Sequence, residues 1–541
     1  MGNPASRSRA QRLEALSSQQ FDVVVVGGGI NGASSAAALS ARGLSVALID
    51  ANDFASMTSQ ESSNLVWGGF KYLENYEIPF VFKLCRSRNR LMKAYPTVIS
   101  EVSFLATLDK TSPFPNWLAA LGTVGYWGLG LFATKRPGYY RPKTIKKLEP
   151  VINTETASGA IDYRDGYLKD NDARLVWTFV RSAIDAGAVA LNYVRATDAH
   201  WDEANGGTWT LDLIDTPTAT KHQIVANAIV NAAGPFVDSF NDQLDLQTKS
   251  RVVYSKGIHI VVPKLTDGDR VLAFFDETQR LFYVIPMANR SVIGTTDTRT
   301  DDPGEGVTPE DRAFLLAQIN LRLDLESPLT EADIISERCG VRPLVVENDG
   351  DDREDIDWTS LSRKHEIEVD AKRRIVSIFG GKLTDCINIG EEVIDEFEGF
   401  DMAPGPASDD WYGEPPEEER QQFMRRAEVH GLHRTPRVEQ ATSMAELLWR
   451  RHGVAANAVL DTIDTDPLLA VEAFVDSDIL RAELVVMAER ELIVTAEDFF
   501  RRRTKLALIH RVEDLEADPG YDTALRLLGL RSTEGARPIA G

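Results

Sequence analysis

Residues 21–50 read FDVVVVGGGINGASSAAALSARGLSVALID, and this stretch decides the fold. An apolar run from Val23 to Val26 leads into a glycine-rich turn. An alanine-rich segment follows, and a second apolar run ends at Asp50. The pattern predicts a strand, a tight turn, a helix and a second strand, which is the βαβ unit that binds dinucleotides.

The glycines of the turn have separate expected roles. Gly27, followed by Gly28, permits the turn, Gly29 lets the backbone approach a pyrophosphate, and Gly32 lets the helix and the strand pack closely. The helix N-terminus offers free N–H groups and a partial positive charge to the phosphates. Asp50 is placed to accept hydrogen bonds from a ribose diol. The alternative, a glycine-rich turn in an ordinary βαβ unit, would not require that acid.

Length and composition indicate a soluble globular protein of two or three domains. The chain has 541 residues, of which 43% are hydrophobic and 26% are charged. Its net charge of −23 argues against general nucleic-acid binding, because phosphates would be repelled. The three cysteines show no metal-type spacing, so we expect reduced thiols, a cytoplasmic location and no metal site. Residues 1–20 lack the apolar core of a signal peptide and are predicted to be a disordered tail.

One region departs from the acidic average. Between Phe80 and Leu148 there are twelve cations and two anions, a local charge of +10. Within it, residues 117–133 read WLAALGTVGYWGLGLFA and contain no charge. Aromatic residues beside a basic cluster are typical of an interfacial segment on an anionic membrane. A buried core helix and a dimer interface are equally weighted alternatives, and a true transmembrane helix is the least favoured.

The remaining chain divides by pattern. Runs rich in β-branched residues, which predict a mostly antiparallel sheet, lie at 251–262, 282–285 and 291–295. Residues 401–416 are rich in Pro, Gly and Asp and indicate a linker. Beyond them the apolar spacing is helical, including one long helix over 478–510, and predicts an α-helical C-terminal domain over 417–541.

Eight motifs occur in a fixed order: VVGGGINGA, SSNLVWGGFKYLE, NDARLV, NAAGPFV, KGIHIVVP, VIGTTD, CGVRPL and FGGKLT. Together they resemble the FAD-dependent glycerol-3-phosphate dehydrogenase and oxidase family over about residues 20–400. The resemblance implies an α/β fold with a Rossmann-like FAD-binding domain of the glutathione-reductase or amine-oxidase type and an antiparallel substrate domain, in one region over 21–400. The FAD-binding segments are about 21–75, 150–250 and 340–400. The substrate-domain segments are about 76–149 and 251–339.

The resemblance implies FAD as the cofactor and identifies the residues that hold it. Those for the ADP part are Gly27, Gly28, Gly29, Gly32 and Asp50. Those along the ribityl chain and behind the ring are Thr58, Ser59, Ser62, Ser63, Ala233 and Gly234. Those at the pyrimidine end of the ring are Gly381, Lys382, Leu383 and Thr384, at a helix N-terminus that suits the negative charge of a reduced flavin.

The resemblance also implies the substrate residues. Lys71 and Tyr72 would reach a phosphate, on which the three cations Lys71, Lys382 and Arg342 would converge, with the arginine as the bidentate member. Thr295 and Thr296 would orient the substrate or the base. His259 would be the base, since an imidazole suits proton abstraction near neutral pH. Arg342 would stabilise negative charge on the reacting oxygen. For His259 the competing interpretation is a strand histidine satisfied by the backbone, and for Lys71 and Arg342 it is a surface salt bridge.

Three positions depart from the family pattern. The family usually shows a lysine, a histidine and an arginine where this chain has Asn64, Trp67 and Lys71. Lysine for arginine keeps the charge but loses the fork that grips phosphate. Asn64 removes a cation, and Trp67 fills space where an imidazole would donate. The expected pocket is therefore less positive and differently shaped.

The function implied is oxidation of sn-glycerol 3-phosphate to dihydroxyacetone phosphate by hydride transfer from C2 to flavin N5. Electrons would pass to a quinone of the membrane, with the protein peripheral on its cytoplasmic face and a homodimer possible. One alternative is a flavin oxidase or dehydrogenase of another anionic hydroxy acid, polyol phosphate or amine, with oxygen as acceptor. Another is a non-enzymatic flavin-binding regulator or scaffold that keeps the fold.

Overall fold

A computed structural model of the protein describes residues 8–204, 206–348, 364–400, 402, 405, 411–436 and 441–530. Its strands are β1 Gln20–Val26, β2 Val46–Ile49, β3 Leu65–Val66, β4 Ile99–Leu108, β5 Gly138–Tyr140, β6 Gly159–Leu168, β7 Val189–Leu191, β8 Val194–Asp202, β9 Thr208–Asp215, β10 Thr220–Asn231, β11 Ser250–Pro263, β12 Val271–Phe275, β13 Leu281–Met287, β14 Arg290–Gly294, β15 Thr298–Thr300, β16 Ser336–Glu347, β17 Glu366–Asp370 and β18 Ile375–Phe379.

The α-helices follow the same chain order. They are α1 Arg9–Ser18, α2 Ile30–Ala41, α3 Ile78–Ala94, α4 Asn116–Leu129, α5 Pro142–Leu148, α6 Asp172–Asp185, α7 Val237–Gln243, α8 Pro309–Arg322, α9 Cys386–Gly399, α10 Glu417–Val429, α11 Met444–His452, α12 Ala456–Thr465, α13 Arg481–Arg490, α14 Leu506–Ile509, α15 Val512–Glu516 and α16 Tyr521–Leu527.

The first sheet contains the dinucleotide-binding unit. Its strand order is β17-β18-β10-β1-β2-β7, extended by β9 and β8 beside β10. The five strands from β18 to β7 are parallel. Val23, Val24 and Val25 of β1 are fully buried because helices cover a parallel sheet on its faces. Helix α2 packs between this sheet and the helices α6 and α9, and the predicted strand–turn–helix–strand is confirmed.

The second sheet has ten strands in the order β15-β11-β14-β13-β12-β4-β6-β3, with β16 on β11 and β5 on β6. Every pair is antiparallel except β4 with β12, which is parallel. The mostly antiparallel substrate domain is therefore confirmed. Long β11 pairs with β16 over twelve residues, and this pairing positions the candidate active site.

The predicted disordered tail is wrong for residues 8–20. Arg9–Ser18 form α1, which begins with a capping box between Ser8 and Gln11. Leu16 is fully buried, and Arg9 forms an ion pair with Asp215. An apolar face and an N-cap in the polar sequence are enough to dock this helix on the first sheet. Residues 1–7 lie outside the described residues.

The C-terminal region is helical, as predicted, but the single helix over 478–510 is wrong. Helix α13 ends at Arg490, Leu492 adopts a left-handed backbone conformation, and a separate π-helical turn spans Asp498–Arg503. The carboxylate of Asp498 accepts hydrogen bonds from the backbone N–H groups of Val494 and Thr495 and so begins a new turn. Half of the predicted linker 401–416 and all of 531–541 lie outside the described residues.

Helix α4 covers most of the uncharged stretch 117–133. Its buried side is formed by Ala119, Thr123 and Tyr126, whereas Trp117 is 68% exposed and Leu121 59%. A fully buried core helix, one of the alternatives, is therefore wrong. In the described parts of the chain, no helix has the length and apolarity that crossing a bilayer requires.

Candidate active site

The glycine-rich turn borders a cavity of about 280 Å³ at the carboxyl ends of β1, β2 and β10. Its lining includes most of the predicted cofactor residues, namely Gly27, Gly29, Asp50, Thr58, Ser59, Ala233, Gly234 and Gly381. Ligands of open α/β sheets bind in this crevice, where the chain leaves the strands for the helices. Six separate parts of the chain meet here, at about residues 26–31, 50–59, 194–196, 232–243, 343 and 380–381.

The turn fits a pyrophosphate because backbone fills the places that side chains would take. A Cβ atom on Gly32 would lie 1.8 Å from the carbonyl oxygen of Gly27, and one on Gly27 would lie 2.4 Å from that of Ala232. Gly28 packs under the ring of Phe54. Gly29 is the N-cap of α2, so the first N–H groups of this helix face the cavity.

Two polar side chains complete this part of the site. The Asp50 carboxylate accepts hydrogen bonds from the backbone N–H groups of Gly28, at 2.6 Å, and Asn52, at 2.8 Å. Burial raises the pKa of Asp50 to about 7. Asn31 donates to the Gly380 carbonyl, and its buried Oδ1 accepts no hydrogen bond from the described residues. The glycine cradle, the acid and this unpaired oxygen fit the ADP part of FAD.

The loop after β2 carries the predicted ribityl residues. Thr58 donates to the carbonyl of Val341 at 2.6 Å, and Ser59 accepts from the backbone N–H of Ile30. Ser62 and Ser63 lie further along the loop, where the Ser62 N–H donates to the carboxylate of Asp172. The loop therefore links the helix N-terminus to β16.

The FGGKLT motif lies where β18 leads into α9. Gly381 lines the cavity, and its φ of +98° is a conformation that L side chains rarely adopt. Leu383 begins a short 3-10 turn that runs into α9, and the buried Thr384 accepts a hydrogen bond from Ser87 through its carbonyl. The turn and α9 therefore begin within a few residues of the glycines that line the cavity.

His259 lies on β11 opposite Arg338 of β16 and Gly294 of β14. It is 2% exposed, and neither ring nitrogen has a hydrogen-bond partner among the described residues. Burial, and then the positive charges of Arg338 and Arg342, hold the pKa of His259 well below its ordinary value. A strand histidine satisfied by the backbone is therefore not what is found. This shift favours the uncharged form of the imidazole.

Arg342 lies four residues along β16 from Arg338. It donates a hydrogen bond to the hydroxyl of Thr295 at 2.8 Å and lies 3.5 Å from a carboxylate oxygen of Asp297. The hydroxyl of Thr296 accepts from the backbone N–H of Ile258, beside the base. The VIGTTD motif thus places both threonines between the candidate base and the guanidinium, and it supplies Arg342 with an acidic partner.

Lys382 and Tyr72 also meet. The ammonium of Lys382 lies 3.6 Å from the centre of the Tyr72 ring and 4.7 Å from that of Phe80, a cation–π contact. Lys71 lies in the same 3-10 turn, Phe70–Leu73; burial raises the pKa of the neighbouring Glu74, and the charge of Lys71 offsets part of that rise. These contacts bring together Lys382 and Tyr72, two of the residues predicted to lie at the phosphate.

The departures at Asn64 and Trp67 have structural consequences. Asn64 is fully buried in a left-handed conformation; it donates to the carbonyl of Asp170 and accepts from Arg338. The Trp67 ring packs on Tyr72 with centroids 5.8 Å apart. Asn64 therefore holds the loop after β2 in place through its two hydrogen bonds, and Trp67 packs beside Tyr72.

Sequence reasoning missed several residues that organise the site. Arg502 and Arg503 of the π-helical turn form ion pairs with fully buried Asp53, at 2.7 and 2.8 Å. Arg501 donates to the carbonyl of Gln60 at 2.6 Å. The C-terminal domain thus forms ion pairs and a hydrogen bond with the loop after β2, which lies along the cavity. The triple arginine was the only visible signal, and it did not indicate a partner.

A second missed cluster surrounds His365. Its imidazole lies 2.6 Å from a carboxylate oxygen of Asp385, at the start of α9, and 2.7 Å from one of Glu392. Lys83 pairs with the other oxygen of Glu392. Hydrogen bonds that the imidazole donates to both carboxylates outweigh burial and raise the pKa of His365 to about 9. The charged histidine fastens α9 beside the FGGKLT turn.

Replacing His365 with glutamine should therefore cost stability in a pH-dependent way. A raised histidine pKa stabilises the fold fully below the unfolded value of about 6.5, and the effect is lost as pH rises through about 9. We expect a loss of about 1–2 kcal/mol at pH 6 that is nearly gone at pH 9.5. Thermal melts of both proteins at several pH values measure it. An equal difference at every pH would contradict the charged cluster.

Comparison with known proteins shows the family of the chain. A family model described as FAD dependent oxidoreductase matches residues 22–363, and one described as the C-terminal domain of alpha-glycerophosphate oxidase matches residues 417–523. The chain is 31% identical over 388 residues to a protein of Staphylococcus haemolyticus named aerobic glycerol-3-phosphate dehydrogenase, covering 70% of this chain and 67% of that protein. A Staphylococcus aureus protein of the same name is 31% identical over 391 residues.

Solved structures agree with the fold. The glycerol-3-phosphate dehydrogenase from Bacillus halodurans, complexed with FAD, superposes with a TM-score of 0.74 at 25% identity and covers 97% of this chain and 93% of its own. The FAD-bound L-alpha-glycerophosphate oxidase from Mycoplasma pneumoniae has a TM-score of 0.54 over 70% of this chain, at 16% identity. The chain therefore belongs to the FAD-dependent oxidoreductases, in the glycerol-3-phosphate dehydrogenase and oxidase family, and FAD is its cofactor.

Proposed function

We propose that the protein oxidises sn-glycerol 3-phosphate to dihydroxyacetone phosphate and passes the electrons to a membrane quinone. The observation that carries this proposal is His259, whose ring nitrogens have no hydrogen-bond partner among the described residues and whose pKa is lowered by burial and by the charges of Arg338 and Arg342. Bound FAD supplies the hydride acceptor. Relatives named aerobic glycerol-3-phosphate dehydrogenase support the substrate.

The residues of the site divide the work on the alcohol. His259 takes the proton of the substrate hydroxyl on its free ring nitrogen, because its lowered pKa keeps it unprotonated at neutral pH. Arg342, held by Thr295, stabilises negative charge that develops on the same oxygen. Lys382, together with Lys71 and Tyr72, binds the phosphate. Buried walls keep water away from the base.

Anaerobic mixing of the FAD-loaded protein with substrate tests the proposal. Glycerol 3-phosphate should bleach the oxidised flavin band, whereas glycerol, which has no phosphate, should bleach it far more slowly. Faster bleaching by another anionic hydroxy acid, polyol phosphate or amine would move the assignment to that substrate. Peroxide release in air without added quinone would favour an oxidase. A flavin that no compound of this panel reduces would indicate a non-enzymatic protein.

Replacing Lys71 with arginine should strengthen phosphate binding. The planar fork of arginine forms two parallel hydrogen bonds to phosphate, whereas the ammonium of lysine acts as a point charge. About 1 kcal/mol of added binding would lower KM for glycerol 3-phosphate about fivefold with little change in kcat. Steady-state kinetics with glycerol as the uncharged comparison measure this. A raised KM would place Lys71 away from the phosphate.

We propose further that α4 and the turn after it rest on the anionic surface of a membrane, on its cytoplasmic face. Trp117, Leu121 and Phe132 are 59–68% exposed and form an apolar face. Three of the five cations of α3 form ion pairs: Lys83, Arg88 and Arg90 contact Glu392, Asp165 and Glu391. Exposed positive charge lies at Arg86 and Lys93 of α3 and, before and after α4, at Lys110, Lys135, Arg136, Arg141, Lys143 and Lys147.

Flotation with lipid vesicles tests the membrane contact. The protein should float with phosphatidylglycerol vesicles at low salt, and less with phosphatidylcholine or at high salt. Replacing Trp117, Leu121 and Phe132 with serine should abolish flotation, while Leu321→Ser on α8, 57% exposed, should not. A wild-type protein that stays at the bottom would refute the membrane contact. Sedimentation of the same sample in detergent-free buffer tests the homodimer.

A further inference from the structure

The buried guanidinium of Arg338 occupies a central position between the candidate base and the loop along the FAD cavity. It lies opposite His259 in the pairing of β11 with β16, so both side chains point to the same face of the sheet. It is 1% exposed. No motif of the sequence singled it out, and the reaction outlined above does not use it.

Arg338 is hydrogen-bonded to that loop at two residues directly and at a third through the carboxylate of Asp172. One terminal nitrogen donates to the side-chain oxygen of Asn64 at 2.8 Å, and the other donates to the carbonyl of Gln60 at 2.8 Å and to the carboxylate of Asp172 at 2.7 Å. The same carboxylate oxygen accepts from the backbone N–H of Ser62. Residues 60–64 are therefore held to β16 by two direct hydrogen bonds from Arg338 and by a third contact in which Asp172 bridges Arg338 and Ser62.

The charge of Arg338 also acts on the base. Apart from burial, its cation is the first influence that keeps His259 unprotonated, ahead of Arg342. The other charged groups around this pair are already engaged: Asp172 with Arg338, Glu61 with Arg501, and Asp297 with Arg342. From β6, Tyr167 faces Arg338, and from β14 the neighbour of His259 is the uncharged Gly294.

We propose that Arg338 is a positioning residue of the oxidation: its fork fixes the loop Gln60–Asn64 along the FAD cavity, and its cation faces His259 across the pairing of β11 with β16. In that place the charge of Arg338 favours the unprotonated imidazole. The inference rests on the proposed role of His259 as the base. Arg338 also places a positive charge next to Asn64, the position at which the family usually has a lysine, because it donates a hydrogen bond to that side chain.

Two kinds of variant separate the fork from the charge. Arg338→Lys keeps the positive charge and loses the two-pronged grip. Arg338→Gln combined with Asp172→Asn removes both charges and leaves no buried ion without a partner, which protects the fold. Arg501→Gln is the matched control, because Arg501 also donates to the Gln60 carbonyl but is not among the charges that act on His259.

Two measurements on the FAD-loaded protein report the two effects without turnover. The ring of His259 is titrated by NMR with labelled histidine and assigned with His259→Gln, since the chain has only eight histidines. Release of FAD is followed by the rise in flavin fluorescence. The pH dependence of kcat/KM is recorded beside them, and its acidic limb should follow the titration of the imidazole.

The neutral double variant should raise the titration midpoint of His259 by about one pH unit or more, a tenfold gain in proton affinity. Arg338→Lys should leave that midpoint within about 0.3 unit but release FAD about fivefold faster, because two hydrogen bonds are weakened. Arg501→Gln should leave the midpoint unchanged.

If the titration midpoint of His259 is unchanged in the double variant, or shifts equally in Arg501→Gln, then the charge of Arg338 does not control protonation of His259. Unchanged FAD release in Arg338→Lys would overturn the assignment of the fork. Failure of the proposed function is a separate result: full turnover by His259→Gln would remove the base, while the titration and FAD-release results would stand on their own.

Discussion

Gly32→Ala should yield a protein that neither holds FAD nor folds stably. The added methyl carbon would lie 1.8 Å from the carbonyl oxygen of Gly27 and 3.2 Å from the side chain of Ala232. Neither neighbour can move, since Gly27 is the turn and Ala232 is held by a backbone bond to Val26. We expect a loss of about 3 kcal/mol or more, measured as a lower melting temperature and a colourless protein.

Gly29→Ala is the control for this prediction, because both changes add one methyl group to the same turn. A Cβ on Gly29 would lie 3.2 Å from the hydroxyl of Ser59, a side chain that can move. The fold should therefore survive, while FAD binding weakens because Gly29 lines the cavity. Equal melting temperatures for the two variants would contradict the separation of packing at Gly32 from cofactor approach at Gly29.

Arg342→Ala should remove turnover and leave the yellow cofactor bound. The guanidinium is the cation that faces the reacting oxygen in the proposed reaction, and losing one such donor costs about 10²–10³ in kcat. Its full charge puts the expected loss in kcat/KM at the upper end, about 10³-fold. Flavin absorbance of the purified variant and single-turnover reduction with glycerol 3-phosphate measure the two parts.

Two further variants test whether position as well as charge matters at Arg342. Arg342→Lys should recover only part of the rate, because it keeps the charge without the hydrogen bond to Thr295. Gly257→Ala leaves Arg342 in place but puts a methyl carbon 1.9 Å from its terminal nitrogen, so it should displace the guanidinium and slow reduction. Turnover within tenfold of wild type in Arg342→Ala would exclude its role.

Local patterns predicted the first layer of this site. The glycine turn, the helix that starts at it and Asp50 lie within 30 consecutive residues, and their geometry follows from backbone sterics. The order of motifs then predicted His259, Arg342 and the two threonines, which β11, β14 and β16 bring together. Placement of Lys71 on the substrate phosphate stays a prediction.

Other features could not be predicted because they depend on contacts between distant parts of the chain. Asp53 meets Arg502 and Arg503 across about 450 residues, and Arg338 meets Asn64 across 274. A charged residue looks the same in sequence whether it is solvated or buried in an ion pair. The helix at residues 9–18 was missed for a related reason, since its few apolar residues gain stability only by docking on the first sheet.

By itself the sequence determined the cofactor-binding unit, the fold class and the family, because close-range sterics and an ordered set of motifs specify them. Only the tertiary structure decided the burial, the ion pairing and the exposure of the side chains that carry the proposed reaction and the proposed membrane contact. It buried His259 beside two cations, paired Arg342 with Asp297, and turned one face of α4 outward. Protonation and exposure depend on what surrounds a side chain in space, and that environment exists only once the two sheets and the C-terminal helices have assembled.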